Sequence, residues 1–244
     1  ILVATSGDTG KAALAGFADV PGTRIIVFFP RDGVSDMQKR QMTTQEGSNV
    51  NVCAVKGNFD DCQNGGKAIF TNADLREALS EMNITFSSAN SINWGRLSPQ
   101  IVYYISAYCD LLSEQDIKAG EKIDITVPTG NFGNIFAAYI AKLMGLPVGR
   151  FICASNSNNV LTDFFLTGEY DRTRTFHKTI SPSMDILISS NLERLLYFVA
   201  GTDATADYMK QLNTNGNYTV DFIIHDQSSK IKLTSPESSE SEPR

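Results

Sequence analysis

Short apolar or β-branched runs alternate with helical stretches from the first residue of this chain, and no other feature constrains its fold as much. "ILVAT" reads as a buried strand and Gly10 to Ala18 as the helix that leaves it. "RIIVFF" (24–29) is a second strand closed by Pro30, "DMQKRQMTTQEG" (36–47) a helix stopped by Gly47, and "NVNVCAV" (49–55) a third strand. A helix follows from Asp60 to Phe70, weakened by Gly65 and Gly66, and another over 74–82. A βαβαβα series of this kind fits one small open parallel sheet with right-handed crossovers. The texture changes near Ile84, which predicts an α/β subdomain over 1–84 and part of a larger one over 85–226. The second region predicts a long helix from Leu97 to Leu112 with Pro99 in its first turn, where proline is tolerated. "IDITVPTGNFGNIFAAYIAKLMG" (123–145) then repeats the opening theme of strand, small-residue loop and apolar helix. "RFICAS" (150–155) is a strand, "NNVLTDFFLTG" (158–168) a helix, and further helices are expected over Leu192–Val199 and Ala204–Leu212. The fold class is α/β, with open, mostly parallel sheets flanked by helices. The Ser/Glu-rich stretch 227–244 has no apolar period and is expected to be a disordered tail.

Charge and residue counts narrow the function. With 27 acidic against 21 basic residues the net charge is −6, which disfavours nucleic acid and anionic membrane as partners. No apolar run approaches the ~20 residues of a membrane span, and no secretory signal pattern opens the chain, so a cytoplasmic setting is expected. Cys53, Cys62, Cys109 and Cys153 show no metal-ligand spacing and read as small buried hydrophobes. With only His177 and His225, neither a histidine metal site nor a Ser-His-Asp triad is expected. The chemistry must come from the loops.

Three loops stand out. In "VPTGNFGN" (127–134), Gly130 and Gly133 let successive N–H groups converge at a helix start, which suits a phosphate without lysine or arginine. Thr129, Asn131 and Asn134 add side-chain donors. It matches neither the P-loop nor the three-glycine dinucleotide fingerprint, and the plain alternative is a turn with Asn131 near the cap. "SSANSINWGR" (87–96) offers a wall of asparagine and serine ending on Arg96, whose planar fork can grip an anion; the alternative is a capped start to the next helix. In "TSGDTG" (5–10), Asp8 or Thr9 can be a simple N-cap. The loop N–H groups can instead hold a substrate carboxylate while Asp8 meets a hydroxyl or N–H group.

In this order and at these separations, "ATSGDTG", "SSANSINWGR" and "PTGNFGN" resemble the threonine synthases and threonine-synthase-like proteins, which are fold-type-II pyridoxal-phosphate enzymes of tryptophan-synthase-beta-like architecture. "FFPRDGVSDMQKRQM" and "MGLPVGRFICASN" look like the same family, and the resemblance covers roughly residues 1 to 220. Other fold-type-II members carry asparagine where this chain has Asp8. The resemblance implies pyridoxal phosphate held as a Schiff base to a lysine, and conversion of O-phosphohomoserine and water to threonine and phosphate. Gly130, Asn131, Phe132, Gly133 and Asn134 would cradle the cofactor phosphate, within part of the large cofactor-binding domain. Thr5, Ser6, Gly7, Asp8 and Thr9 would face the amino-acid end of the substrate and the cofactor ring. Ser91, Asn93 and Arg96 would meet the substrate's own phosphate or line the wall of the site.

The family's lysine lies N-terminal to the SGDTG loop in a Phe-Lys-Asp-like segment, and neither Lys11, Lys56 nor Lys142 has that context. The resemblance also fades after about Val220. The expectation is therefore a fragment of an incomplete fold with no catalytic residue of its own, active only in a longer form. Two other readings stand beside it: a non-catalytic threonine-synthase-like module that binds a phosphorylated small molecule or a protein partner, and a related dehydratase or sulfhydrylase. Asp8 and "SANSINWGR" argue against the last.

Overall fold

Leu2, Val3 and Ala4 are all buried and form β1 (Leu2–Ala4), after which the chain turns into α1 (Asp8–Phe17). The computed structural model describes residues 1–5, 7–90, 93–180 and 184–220. It divides into two units, Ile1–Arg96 and the part that begins at Leu97.

In the first unit, β2 (Ile25–Pro30), α2 (Asp36–Thr43), β3 (Val50–Val55), α3 (Phe59–Thr71) and α4 (Ala73–Glu81) follow α1. The strands form a parallel sheet in the order β1-β2-β3, with Val3 beside Val27 and Val27 beside Val52. Alternate residues of β2 (Ile25, Val27, Phe29) are buried against Val3, Leu14 and Met42. Each such side chain contributes roughly 1.5–3 kcal/mol. Helix α2 ends at Thr43, short of Gly47, which instead turns the chain toward β3 at φ 145°. Helix α3 runs through Gly65 and Gly66; a reciprocal pair between Asn58 and Asp61 at its start offsets their cost. The first unit continues past Ile84 because the next segment returns to the other edge of β1. The Leu2 N–H donates to Ser87 O (2.9 Å), and the Asn90 amide donates to Ala4 O (2.9 Å) and accepts from Ala4 N (3.3 Å).

The short turn α5 (Trp94–Leu97) is followed by α6 (Gln100–Ser113), β4 (Ile123–Pro128), α7 (Gly133–Leu143), β5 (Val148–Ala154), α8 (Val160–Thr167), β6 (Glu169–Asp171), α9 (Leu192–Asn215) and β7 (Asn217–Thr219). The single helix expected from Leu97 is broken before Gln100: Pro99 lacks an N–H, and its ring disfavours helical backbone at Ser98. Parallel β4 and β5 carry the core with α7, whose Ile135, Phe136, Ala137, Ala138 and Ala141 are buried. The antiparallel pair β6–β7, too short to read in the sequence, places Tyr170 opposite Tyr218 with rings stacked at 5.3 Å. Helix α9 contains a break at Gly201 (φ 80°, ψ −178°), so it consists of the two expected helical stretches. Cys62 and Cys153 are buried as expected, whereas Cys53 on β3 and Cys109 on α6 are exposed because those faces turn outward. The predicted tail, 227–244, lies outside the described residues.

Candidate functional site

The PTGNFGN loop joins β4 to α7. The Thr129 N–H continues the strand ladder by donating to Ala154 O (2.8 Å), after which the chain leaves the sheet. Phe132 caps α7 in the left-handed region (φ 65°, ψ 0°), a conformation that costs a non-glycine residue roughly 1–2 kcal/mol. Its buried ring offsets that cost by stacking on Phe165, 5.9 Å away. A left-handed residue at this place turns successive N–H groups into one concavity, and the first turn of α7 holds no acidic residue. This donor set fits a phosphate.

The side chains of the loop do other work. The Thr129 hydroxyl is buried and donates to Val127 O (2.8 Å), and Asn131 Oδ1 accepts from Gly133 N (3.1 Å). The Asn134 amide is held by α6: the Tyr104 hydroxyl donates to Oδ1 (2.6 Å), while Nδ2 donates to Gln100 Oε1 (2.9 Å). Burial pushes the Tyr104 hydroxyl up to about 12, so it remains a donor at neutral pH. The side chains of Thr129 and Asn134, expected as phosphate donors, therefore serve the scaffold, and the Gly133 N–H is committed to Asn131 within the loop.

The TSGDTG loop is organised differently. Thr5 is buried, and its hydroxyl accepts from the N–H groups of Gly7 (2.9 Å) and Gly10 (3.0 Å). Those two amides are thus committed within the loop, which narrows the expectation that its N–H groups hold a carboxylate. Gly7, the N-cap of α1, adopts φ 152°, and a Cβ there would stand 2.3 Å from the Gln38 amide nitrogen. Asp8 is exposed in the first turn of α1, where its charge suits the helix dipole, and its Oδ1 accepts from Gln38 Nε2 (2.9 Å). Gln38 is itself held by Ser35, whose N–H and hydroxyl both donate to Gln38 Oε1 (3.1 Å each). A carboxylate at this helix start repels an anion and suits an ammonium, hydroxyl or amide N–H. Thr9 is half-buried in the same turn; Ser6 lies outside the described residues.

In the segment 87–96, Asn93 braces its own loop: Nδ2 donates to Ser88 O (2.7 Å) and Oδ1 accepts from Gly95 N (2.9 Å). Arg96 is exposed in α5 and its N–H donates to Asn93 O (2.9 Å); Ser91 lies outside the described residues. Structure thus groups Thr5, Gly7 and Asp8 with Gln38, and Asn134 with Gln100 and Tyr104. Sequence reasoning missed Gln38, Gln100 and Tyr104, and took Asn90 only as part of the asparagine and serine wall. Only Gln38 left a signal, since Ser35 with glutamine three residues on is a capping box.

Burial pushes the Cys62 and Cys153 thiols up to about 11, assisted at Cys62 by the charge of Asp61, so neither is a thiolate nucleophile at neutral pH. Among the described residues no group of three potential metal ligands occurs, and no helix is long and apolar enough to cross a membrane. Of the three lysines weighed above, Lys11 bonds the Gln45 side chain and Lys142 stands 5.5 Å over the Phe151 ring, while Lys56 is exposed.

An α/β fold with parallel strands and a strand–loop–helix turn of this plan in each unit matches a known class, and the chain belongs to the pyridoxal-phosphate-dependent enzymes, whose family model matches residues 1–215. Within that class its relatives are the threonine synthases and threonine synthase-like proteins. It is 48% identical over 233 residues to threonine synthase-like 1 of Macaca fascicularis, covering 92% of this chain and 31% of that protein. It is 39% identical over 241 residues to threonine synthase of Saccharomyces cerevisiae, covering 94% of this chain and 45% of that one. The chain therefore spans about a third to a half of the length of these relatives. Among solved structures, the pyridoxal-phosphate-bound threonine synthase of Brucella melitensis superposes with a TM-score of 0.75 at 45% identity, over 90% of this chain and 45% of that one. The fold is that of the fold-type-II enzymes, and pyridoxal phosphate is the cofactor of the family.

Proposed function

We propose that the full-length protein converts O-phosphohomoserine and water to threonine and phosphate, and that this chain supplies the cradle for the cofactor phosphate and the loop that meets the amino-acid end of the substrate. One observation carries this reading: two strand–loop–helix turns of similar plan have opposite electrostatic character, one free of acidic residues in its helical first turn and one carrying Asp8.

Gly130, Asn131, Phe132, Gly133 and Asn134 would cradle the cofactor phosphate. When bound, pyridoxal phosphate supplies an electron sink for carbanion chemistry that no side chain can provide. Thr5 keeps the TSGDTG turn rigid, and Gln38 orients the Asp8 carboxylate. Asp8 would then accept a proton-bearing group of the substrate, with Ser6, Gly7 and Thr9 completing the turn. Ser91, Asn93 and Arg96 would line the wall, with the Arg96 guanidinium meeting the substrate's phosphate. The lysine that the family chemistry needs is assigned to no residue of this chain, so the activity is proposed for a form that includes it.

A non-catalytic module that binds a phosphorylated small molecule is the second reading. It is motivated by the lysines of the chain, since neither Lys11, Lys56 nor Lys142 stands in the family's lysine context and a fold need not carry its family's chemistry. Phosphate release from O-phosphohomoserine by the full-length protein with pyridoxal phosphate decides between them. Steady release supports the synthase; cofactor binding without release supports the module; a full-length protein that binds no pyridoxal phosphate overturns the first reading.

A further inference from the structure

The direction in which the PTGNFGN amides point is set by a segment whose role the loop motifs do not reveal. "ISSN" (188–191) precedes α9. Ser189 and Asn191 within it are almost fully enclosed, at 5% and 0% exposure. The Ser189 hydroxyl donates to the carbonyl of Gly130. Asn191 directs two donors at the carbonyl of Asn131, its main-chain N–H at 2.9 Å and its Nδ2 at 3.1 Å. Ser189 is held in turn: its N–H donates to the Tyr170 hydroxyl (2.8 Å), which donates to Leu187 O (2.9 Å). Burial pushes that phenol up to about 12, so the chain of donors survives at neutral pH.

Peptide planarity turns these bonds into a statement about the loop. In a trans peptide the C=O and the following N–H point to opposite sides of the chain, and no peptide bond in the described residues is cis. Holding the Gly130 carbonyl therefore aims the Asn131 N–H away from Ser189. Holding the Asn131 carbonyl aims the Phe132 N–H away from Asn191. Phe132 in its left-handed conformation then continues the turn into α7. A loop with glycines at 130 and 133 has the backbone freedom to rotate these planes, and the tethers remove that freedom.

We propose that Ser189 and Asn191 are positioning residues for the cofactor phosphate, acting through the Gly130–Asn131 and Asn131–Phe132 peptide planes; this rests on the cradle assigned above. Their effect is on the phosphate end of the ligand alone. Removing the Ser189 hydroxyl releases one plane and strands the Gly130 carbonyl. Removing the Asn191 side chain leaves the main-chain donor in place, so its effect is smaller.

The test is calorimetric titration of this chain and its Ser189→Ala and Asn191→Ala variants with pyridoxal phosphate, pyridoxal and inorganic phosphate. Thermal melts score folding, and amide NMR follows Asn131 and Phe132. Ser189→Ala is expected to lose about tenfold in affinity for pyridoxal phosphate and for inorganic phosphate, with pyridoxal unchanged. Asn191→Ala is expected to lose about threefold. In the wild type, inorganic phosphate shifts the Asn131 and Phe132 amides; in Ser189→Ala those shifts shrink. Unchanged phosphate affinity in a folded Ser189→Ala overturns the proposal, as does an equal loss for pyridoxal and pyridoxal phosphate. If Ser189→Ala does not fold, the same comparison in Asn191→Ala decides it. A wild-type chain that binds pyridoxal as well as pyridoxal phosphate overturns the cradle itself, and the tether with it. A cradle that holds phosphate in the wild type and in both variants alike overturns the tether alone.

Discussion

The TSGDTG and PTGNFGN turns follow one plan but differ in where the threonine hydroxyl turns and in the charge of the helical first turn. Each begins with a threonine whose N–H prolongs the parallel ladder, Thr5 to Phe28 O (3.0 Å) and Thr129 to Ala154 O (2.8 Å). Each ends on an N-cap with positive φ, Gly7 and Phe132. From there they diverge. The Thr5 hydroxyl faces forward and consumes two loop N–H groups, whereas the Thr129 hydroxyl faces back toward its own strand. In the first turn of the helix one loop places Asp8, and the other places no acid. A helix start becomes an anion site only when its amides are left for the anion and its first turn carries no like charge. The first loop fails both conditions and the second meets the charge condition with its threonine turned away.

The cap residues give the strongest way to break this comparison. Phe132 tolerates a left-handed backbone because its ring is buried on Phe165, whereas Gly7 needs no ring but cannot accept a Cβ. Phe132→Ala keeps the backbone strain and loses the packing, for an expected cost of about 3–5 kcal/mol by urea unfolding. A cost near 1 kcal/mol would mean that packing does not hold the second loop in its turn.

The threonines sharpen it next. Thr5→Val strands two enclosed N–H groups and should cost about 1–3 kcal/mol, while Thr129→Val loses a single donor and should cost about 0.5–1.5 kcal/mol. Equal losses in thermal melts would contradict the assignment of opposite roles to the two hydroxyls.

Alkaline pH bears on both units, through buried Cys62 in the first and through the tyrosines in the second, all eight of which lie beyond residue 96. The Tyr104 hydroxyl sits at about 12 in the folded protein against an ordinary 10, so folding favours its protonated form. The stabilisation is complete below about pH 10 and is lost as pH rises toward about 12; Tyr170 acts in the same sense. Urea midpoints should therefore fall across that window. Tyr104→Phe should flatten part of the fall while costing about 1 kcal/mol at neutral pH through the lost bond to Asn134. An unchanged alkaline slope in Tyr104→Phe would count against the brace.

How much of this was legible in the sequence follows from the range of each interaction. The parallel strands and most helices were readable because period and punctuation are local: Ile25, Val27 and Phe29 alternate within β2, and Gly201 marks the break in α9. The glycine-asparagine loop announced its main chain, but not that Asn134 is taken by Gln100 and Tyr104 or that Asn131 O is taken by Asn191. Those partners lie about thirty to sixty residues away, and nothing in the local pattern encodes them. The same holds for Asp8 and Gln38, thirty residues apart. The pair β6–β7 escaped because three residues are too few to display alternation.

The smallest expected change in stability carries the most specific test of the divided roles. Asp8→Asn keeps an oxygen for Gln38 Nε2 and removes only a charge at an exposed helix start, so the loss should stay within about 0.3–1 kcal/mol. The reciprocal change, Asn131→Asp, keeps an oxygen for the Gly133 N–H but places a carboxylate in the loop before α7. If the two loops serve opposite ends of the ligand pair, Asn131→Asp weakens pyridoxal phosphate and inorganic phosphate at least tenfold, by direct repulsion in a site with no other acid in its helical first turn. Asp8→Asn leaves both affinities within about twofold, and in the full-length protein it raises the KM for O-phosphohomoserine instead. Calorimetry on the pair of variants reads this directly. Equal losses of phosphate affinity in both would show that charge at either turn is felt by the same anion, and the division between them would fall.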